Sequence, residues 1–182
     1  MINKHALRQA LKQRRRALSA DDITQASRLA CSRLLRHPRF QAAKHIALYS
    51  PFAGEIDPLS LFNENQTFYL PVVEANYAMR FIAVERTSDL VKNRYGILEP
   101  TGNSAIDVND LDVIVIPLLG FNRQGDRLGM GAGYYDRALA QCNGRTFHVG
   151  FAYSWQEVEQ LSSEHWDVPL HAVVTEKEFI DC

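Results

Sequence analysis

The sequence predicts an α/β protein: a single three-layer domain over residues 1–182, with a mostly parallel sheet flanked by helices and opened by an N-terminal αα-hairpin. Three observations support this fold class. Apolar residues recur at helical spacing near the start of the chain. Short segments rich in β-forming residues follow and alternate with helical segments. One unbroken apolar run, which ends at Pro117, is typical of a strand covered on both faces of a parallel sheet.

The first 38 residues predict two helices. Residues 2–18 carry apolar side chains at steps of three and four, so one stripe faces a core while the basic residues lie beside or opposite it. The basic residues are Lys4, Arg8, Lys12 and Arg14 to Arg16. Ser19 and Asp22 resemble a capping box, and the second helix is expected to run from there until Pro38.

Strands are predicted where the hydrophobic period changes. The predicted strands cover residues 45–50, 67–71, 79–84, 112–116, 146–151 and 172–175. The apolar run 112–116 is expected at the centre of the sheet, and a long loop followed by a helix over residues 134–141 comes after it. No linker or repeat supports a domain boundary.

Composition places the chain among ordinary soluble proteins. It has 182 residues, of which 46% are hydrophobic and 23% charged. No apolar run approaches the ~18 residues that would span a bilayer, and the start lacks the apolar core of a secretory signal. We therefore expect a cytoplasmic protein without a membrane partner, and the three widely spaced cysteines are expected to be reduced thiols.

Charge is divided unevenly along the chain. Residues 1–39 hold ten Lys/Arg and two Asp, so the net charge of -1 combines a basic start with an acidic remainder. A nucleic-acid-binding module would use such a basic segment, but the chain lacks RNP, KH or zinc motifs and aromatics between the basic residues. That alternative is kept as the less favoured one.

The segment from Pro117 to Asp136 is the most informative for function. Gly129, Gly131 and Gly133 recur between a buried strand and a helix, a pattern that lets backbone N–H groups approach a phosphate. A Walker A motif is absent, and no acidic residue follows at the position that a dinucleotide fingerprint requires. A tight loop beneath the sheet is the alternative explanation of these glycines.

The neighbours of the glycines favour a phosphate-binding site. Arg127 offers a planar cation, Tyr134 and Tyr135 offer flat faces with hydroxyl tips, and Asp136 offers an oxygen ligand for a phosphate-bound Mg²⁺. The alternatives are a surface ion pair for Arg127, a core position for Tyr135 and a helix first-turn role for Asp136. Since Arg127→Ala removes no core volume on this interpretation, it is expected to weaken use of the phosphate-bearing ligand and leave the fold intact.

Two further sites of charge stand out. Glu55 follows a predicted strand, where a carboxylate could accept hydrogen bonds from a heterocycle, although a helix-cap role is equally compatible. Lys4 and Arg8 are one helical turn apart and can converge on one anion, unless they belong to a solvated face. The histidines show no metal-ligand spacing, and no G-x-S-x-G motif is present.

Five ordered motifs resemble those of the 5-formyltetrahydrofolate cyclo-ligase family, also called methenyltetrahydrofolate synthetase. The most specific is the glycine segment, similar to R-L-G-x-G-x-G-[YF]-Y-D, and the resemblance runs the length of the chain. The other four motifs are K-x-x-x-R at 4–8, Y-x-P-x-x-x-E-I-D at 49–57, Y-G-I-x-E-P at 95–100 and D-V-P-L-x-A-V-V-T-E at 167–176.

The resemblance implies a three-layer α/β ligase that uses ATP and Mg²⁺ to convert 5-formyltetrahydrofolate to 5,10-methenyltetrahydrofolate through phosphorylation of the formyl oxygen. ATP contacts are implied at Lys4, Arg8, Arg127, Leu128, Gly129, Met130, Gly131, Ala132, Gly133, Tyr134 and Tyr135. Folate contacts are implied at Ser50, Glu55, Tyr95 and Tyr134. Asp136 would hold Mg²⁺, and Arg127 and Tyr135 would be catalytic.

Departures from the family pattern occur at several positions. Met130 and Ala132 replace basic residues of many relatives, and His171 replaces a frequent aspartate that is a second metal ligand in some members.

The expected binding partners are a reduced folate and ATP, and the protein is expected to be a monomer. A different nucleotide- or sugar-phosphate-using enzyme on the same kind of sheet remains the first alternative.

Overall fold

The computed structural model describes residues 3–74, 77–85, 90–164 and 166–182. The helices are α1 (Lys4–Arg16), α2 (Ala20–Leu34), α3 (Pro38–Ala42) and α4 (Tyr134–Leu139). The strands are β1 (His45–Ala47), β2 (Thr67–Val73), β3 (Met79–Val84), β4 (Leu90–Lys92), β5 (Leu98–Pro100), β6 (Ala105–Ile106), β7 (Val113–Pro117), β8 (Gly120–Phe121), β9 (Arg127–Leu128), β10 (Phe147–Phe151), β11 (Ala172–Val174) and β12 (Phe179–Asp181).

Eight of these strands form one mixed sheet in the order β12-β11-β10-β7-β1-β2-β3-β6. The five central strands from β11 to β2 pair in parallel, whereas β12, β3 and β6 are antiparallel additions at the edges. The predicted α/β class is confirmed, and β7 lies in the middle of the sheet as its unbroken apolar run predicts. Two short hairpins, β4–β5 and β8–β9, stand outside the sheet.

The N-terminal helices begin where the sequence predicts. The Asn3 side chain accepts from the N–H groups of His5 and Ala6 at the start of α1, and the capping box of Ser19 and Asp22 is formed at the start of α2. Ile2, which was included in the predicted first helix, lies outside the described residues.

Both faces of the sheet are covered, so a three-layer arrangement is observed. Alternate side chains of the strands point to opposite faces, and each face has its own apolar cluster. On one face, α2 and α3 contribute Ala30, Leu34 and Phe40. On the other face, α4 contributes Ala138 and Leu139.

Helix α1 packs across an end of the sheet instead of on a face. Its Leu11 contacts a small cluster with Leu119, Leu128 and Leu161, which surrounds the β8–β9 hairpin. This position brings the basic side chains of α1 next to the loops that follow the parallel strands. The prediction that Arg15 lies beside or opposite the apolar stripe is wrong, because only 2% of its side chain is exposed.

The structure also bears on the cysteines and on membrane-spanning helices. Cys31, Cys142 and Cys182 are free thiols, as expected. Within the ranges described, no helix combines the length and apolar character needed to cross a membrane.

Candidate active site

The candidate site lies where the parallel strands end. The loops after β1, β7 and β10 leave the same edge of the sheet because these strands run in one direction. The loop after β1 carries Ser50 and Glu55, and the long segment after β7 carries the glycines. The site is therefore built from two segments that are distant in sequence and adjacent at this edge.

Glu55 is a buried carboxylate with two protein partners. Its side chain is 11% exposed, its Oε1 lies 3.3 Å from Nη1 of Arg15, and its Oε2 accepts from the N–H of Phe52 at 3.0 Å. Burial raises the pKa of Glu55, and the charge of Arg15 is the largest influence in the opposite direction. The helix-cap alternative for Glu55 is not what the geometry shows, since the carboxylate binds its own loop and α1.

The glycine loop, residues 129–133, connects β9 to α4. Gly131 and Gly133 have φ values of +102° and +72°, which L side chains rarely adopt. A Cβ placed on Gly129 would have no heavy atom within 4 Å. The loop thus exposes backbone next to open space, an arrangement that suits close approach by an anion.

Arg127 and Asp136 bracket the glycine loop and bind each other. Arg127 is 4% exposed and donates from Nη2 to Asp136 and from Nη1 to the carbonyl of Val168. Burial lowers the pKa of Arg127, and the carboxylate of Asp136 opposes that effect. Asp136 itself is 34% exposed. The predicted alternative of a surface ion pair is therefore corrected: the pair exists, but its guanidinium is buried.

Tyr135 connects the two halves of the site. Its hydroxyl is buried without a hydrogen-bond partner, and burial together with the negative charge of Glu55 raises its pKa. Arg127 acts on the same hydroxyl in the opposite direction. The Tyr135 ring packs against the apolar cluster on the face of the sheet that α4 covers, as the core alternative predicts. An unpaired buried hydroxyl is costly, and its contact with a ligand stays a prediction.

The two basic residues of the K-x-x-x-R motif have different partners. Nε of Arg8 donates to the carbonyl of Gly129 at 3.0 Å and so holds the glycine loop. Nζ of Lys4 lies 2.9 Å from the carboxylate of Glu164. Both side chains extend from α1, and their convergence on one anion stays a prediction.

The two aromatic residues predicted to contact folate differ in exposure, since Tyr134 is partly buried. Tyr95 is exposed, and the guanidinium of Arg94 lies 4.8 Å from its ring centroid. Hydrogen bonding to Tyr134 and the proximity of Tyr95 raise the pKa of Arg94. The hydroxyl of Ser50 donates to the carbonyl of Leu98 at 2.6 Å, which ties this loop to the β4–β5 hairpin.

The donor set fits a magnesium ion that arrives with a nucleotide. Among the described residues, no group of three or more His, Cys, Asp or Glu side chains is placed to hold a metal by itself. Asp136 supplies one partly exposed carboxylate beside the glycine loop. Mg²⁺ in phosphate sites commonly takes one or two carboxylates, with phosphate oxygens and water as its other ligands. His171 uses Nδ1 to accept from the N–H of His148 at 2.9 Å, so that nitrogen is already occupied.

Sequence analysis missed Arg15 and Arg94 as site residues. Arg15 had a usable signal, because it falls four residues after Leu11 and three before Leu18, within the apolar stripe of α1. A cation at such a position needs a buried partner. Arg94 had no comparable signal, because its contact with Tyr134 depends on how the β4–β5 hairpin lies against the start of α4.

Comparison with known protein families decides the relationship. The model of the 5-formyltetrahydrofolate cyclo-ligase family matches residues 1–176. The chain belongs to this family. Among its members, the 5-formyltetrahydrofolate cyclo-ligase of Escherichia coli (strain K12) is 39% identical over 178 residues, which cover 91% of this chain and 96% of the relative. The Haemophilus influenzae cyclo-ligase is 36% identical, with 92% and 95% coverage.

Solved structures of this cyclo-ligase family show the same fold. A 5,10-methenyltetrahydrofolate synthetase from Aquifex aeolicus superposes with a TM-score of 0.87 at 34% identity, covering 99% of this chain and 93% of its own. A synthetase from Mycoplasma pneumoniae gives a TM-score of 0.79 at 28% identity, with 96% and 99% coverage. The resemblance seen in the motifs is confirmed, as is the prediction that the chain is an enzyme.

Proposed function

We propose that this protein converts 5-formyltetrahydrofolate to 5,10-methenyltetrahydrofolate, using ATP and Mg²⁺ and releasing ADP and phosphate. Membership of the cyclo-ligase family and the names of the similar proteins support the folate reaction. The residues of the site support the finer statements about ATP, the metal and the roles of individual side chains.

One observation carries the proposal more than any other. Tyr135 follows the glycine loop by two residues, and its hydroxyl is buried without a hydrogen-bond partner. Its pKa is raised by burial and by the charge of Glu55 and lowered by that of Arg127, so the Glu55 carboxylate and the loop segment both lie near this hydroxyl. Glu55 suits a heterocycle with N–H donors, while the glycine loop suits a triphosphate. A reaction between a folate and ATP requires these two kinds of site to be adjacent.

On the folate side, Glu55 would accept hydrogen bonds from the amino and ring N–H groups of the pterin. Tyr95 and Tyr134 would offer aromatic faces to the rest of the folate, and the exposed position of Tyr95 suits the part of the substrate that extends towards solvent. Ser50 would line the same loop, where its hydroxyl already fixes the β4–β5 hairpin.

On the ATP side, the backbone of residues 128–133 would surround the phosphates, and Lys4, Arg8 and Arg127 would supply positive charge. Arg8 already contacts the loop at Gly129. The Arg127 fork has five N–H donors, and the two bonds it makes to protein use one hydrogen each. Side-chain contacts at Met130 and Ala132 would be apolar, so the backbone carries the polar interactions there.

The chemistry requires positioning and positive charge more than an enzyme nucleophile. The formyl oxygen attacks the γ-phosphorus, and the bond to the ADP oxygen breaks. The second folate amine then attacks the activated formyl carbon, loses its proton and expels the phosphate, which closes the ring. Arg127 would stabilise the charge that develops on the transferred phosphoryl group, and the Tyr135 hydroxyl would donate a hydrogen bond to an oxygen of the reacting substrate. Mg²⁺ at Asp136 would neutralise phosphate charge.

An absorbance assay tests the proposal. Purified protein is mixed with 5-formyltetrahydrofolate, ATP and Mg²⁺, and the near-ultraviolet band of the methenyl product is followed. The proposal predicts growth of the band only when both ATP and Mg²⁺ are present. A folded, monodisperse sample that binds ATP and forms no product would contradict the folate assignment and favour another nucleotide-using enzyme.

The proposal also includes a cytoplasmic, monomeric protein that needs no nucleic acid. Light scattering after size exclusion is expected to give the mass of one chain. A dimer mass at assay concentrations would contradict the monomeric state and leave the site assignment unaffected.

A further inference from the structure

Arg15 is a cation of α1 that lies inside the protein. Its side chain is 2% exposed, Nε donates to the carbonyl of Ala53 at 3.1 Å, and Nη1 lies within 3.5 Å of the carbonyl of Leu118. The same Nη1 lies 3.3 Å from Oε1 of Glu55. One guanidinium therefore contacts both the Glu55 loop and the segment that leads from β7 to the glycine loop.

The part of the loop that Arg15 contacts has an unfavourable backbone conformation. Ala53 and Gly54 both have positive φ, +49° and +79°, and a left-handed alanine costs free energy relative to the usual conformations. A Cβ on Gly54 would lie 2.9 Å from the backbone oxygen of Arg15. The turn is thus pressed directly against α1, and the Arg15 side chain holds it there through the Ala53 carbonyl.

Three tyrosines that stay neutral near pH 7 approach Glu55 from other parts of the fold. Tyr49 faces it from the segment after β1, Tyr135 from α4, and Tyr153 from the segment after β10; burial raises the pKa of all three. Arg127 acts on Tyr135 from β9. Arg15 is the charge that directly contacts the Glu55 carboxylate.

We propose that Arg15 is a positioning residue for folate binding, which keeps the Glu55 carboxylate ionised and fixed on its left-handed turn. This inference rests on the proposed function, in which Glu55 binds the pterin. An ionised carboxylate accepts two N–H bonds, whereas a protonated one presents a donor to one of them. Arg15 would therefore control folate binding without touching the folate.

The test compares the pH dependence of the folate KM in wild-type protein and Arg15→Gln. Glutamine retains hydrogen-bonding capacity and removes the charge, so Glu55 becomes protonated at higher pH. We expect the folate KM of the variant to rise by about tenfold to a hundredfold at pH 6, with its pH profile shifted to higher pH and the ATP KM unchanged. Arg16→Gln, an exposed neighbour on the same helix, serves as the matched control and should behave like wild type.

Arg15→Lys separates charge from geometry. The ammonium restores the charge but cannot contact two carbonyls and a carboxylate in the fixed geometry of the guanidinium. We expect a wild-type pH profile together with a raised folate KM. If Arg15→Gln does not fold, Arg15→Lys tests the proposal by itself. A folate KM of Arg15→Lys equal to that of wild type would then overturn the proposal.

Glu55→Gln, measured in parallel, separates the folate-binding role of Glu55 from the positioning role of Arg15. A folate KM unchanged in Glu55→Gln would remove Glu55 from the proposed folate site. A raised KM in Glu55→Gln, combined with a wild-type pH profile in Arg15→Gln, would leave the proposed function in place and refute the role of Arg15.

Discussion

Replacing Arg127 with methionine should weaken both the fold and the use of ATP. Methionine keeps much of the aliphatic volume but removes the donors to Val168 and Asp136. A hydrogen bond that involves a charged group contributes about 1.5–3 kcal/mol to stability. Because Asp136 is partly exposed to water, we take the lower end of this range for each of the two bonds. We therefore expect a loss of about 3 kcal/mol, or a fall in Tm of about 6–12 °C for a chain of this size.

Thermal unfolding and initial rates against ATP check this prediction. Arg123→Met is the matched control: Arg123 lies on the same hairpin and binds two carboxylates, but its side chain is 49% exposed, so its loss should lower Tm much less than the loss of Arg127. The sequence alone led us to expect an intact fold in Arg127→Ala, and the burial of the guanidinium removes the reason for that expectation. Wild-type stability and ATP KM in Arg127→Met would refute both assigned roles.

Three other substitutions have separate expected outcomes. Gly129→Ala should leave Tm unchanged, since its Cβ meets no heavy atom within 4 Å, and should raise the ATP KM in initial-rate assays. Gly125→Ala should unfold in less urea than wild type, because its φ is +86° and its Cβ would lie 2.5 Å from the Leu170 carbonyl; an unchanged midpoint would contradict this. Burial lowers the pKa of His148 to about 4 from 6.5, so the unfolded chain binds the extra proton and stability falls by up to about 3 kcal/mol between pH 6.5 and 4. Unfolding measured against pH should show a shallower acid loss in His148→Gln, and a slope equal to that of wild type would contradict this expectation.

The sequence predicted the parts of the fold that depend on local patterns. Two predictions of this kind are confirmed. A helix starts at the capping residues Ser19 and Asp22, and the apolar run of β7 forms a buried strand. The short strands β8, β9 and β12 have only two or three residues each. Their pairing depends on where tertiary contacts bring the chain together. Segments this short show no alternation of apolar and polar residues that would predict a strand.

The sequence predicted most of the residues of the candidate site, but it did not predict which of them contact one another. Glycine spacing identified the loop, and the motif at 49–57 identified Glu55. The sequence did not reveal that Arg15 pairs with Glu55, because that contact requires α1 to pack across the end of the sheet. Likewise, the burial of Arg127 follows from its contact with Val168, which is 41 residues further along the chain.

The central claim is that Glu55 and the glycine loop form one site, with folate on one side and ATP on the other. The most direct measurement is the pair of KM values, for folate and for ATP, in Glu55→Gln and Gly129→Ala. We predict that Glu55→Gln raises the folate KM alone and that Gly129→Ala raises the ATP KM alone. The reverse assignment, or folded variants in which neither KM changes, would contradict the account.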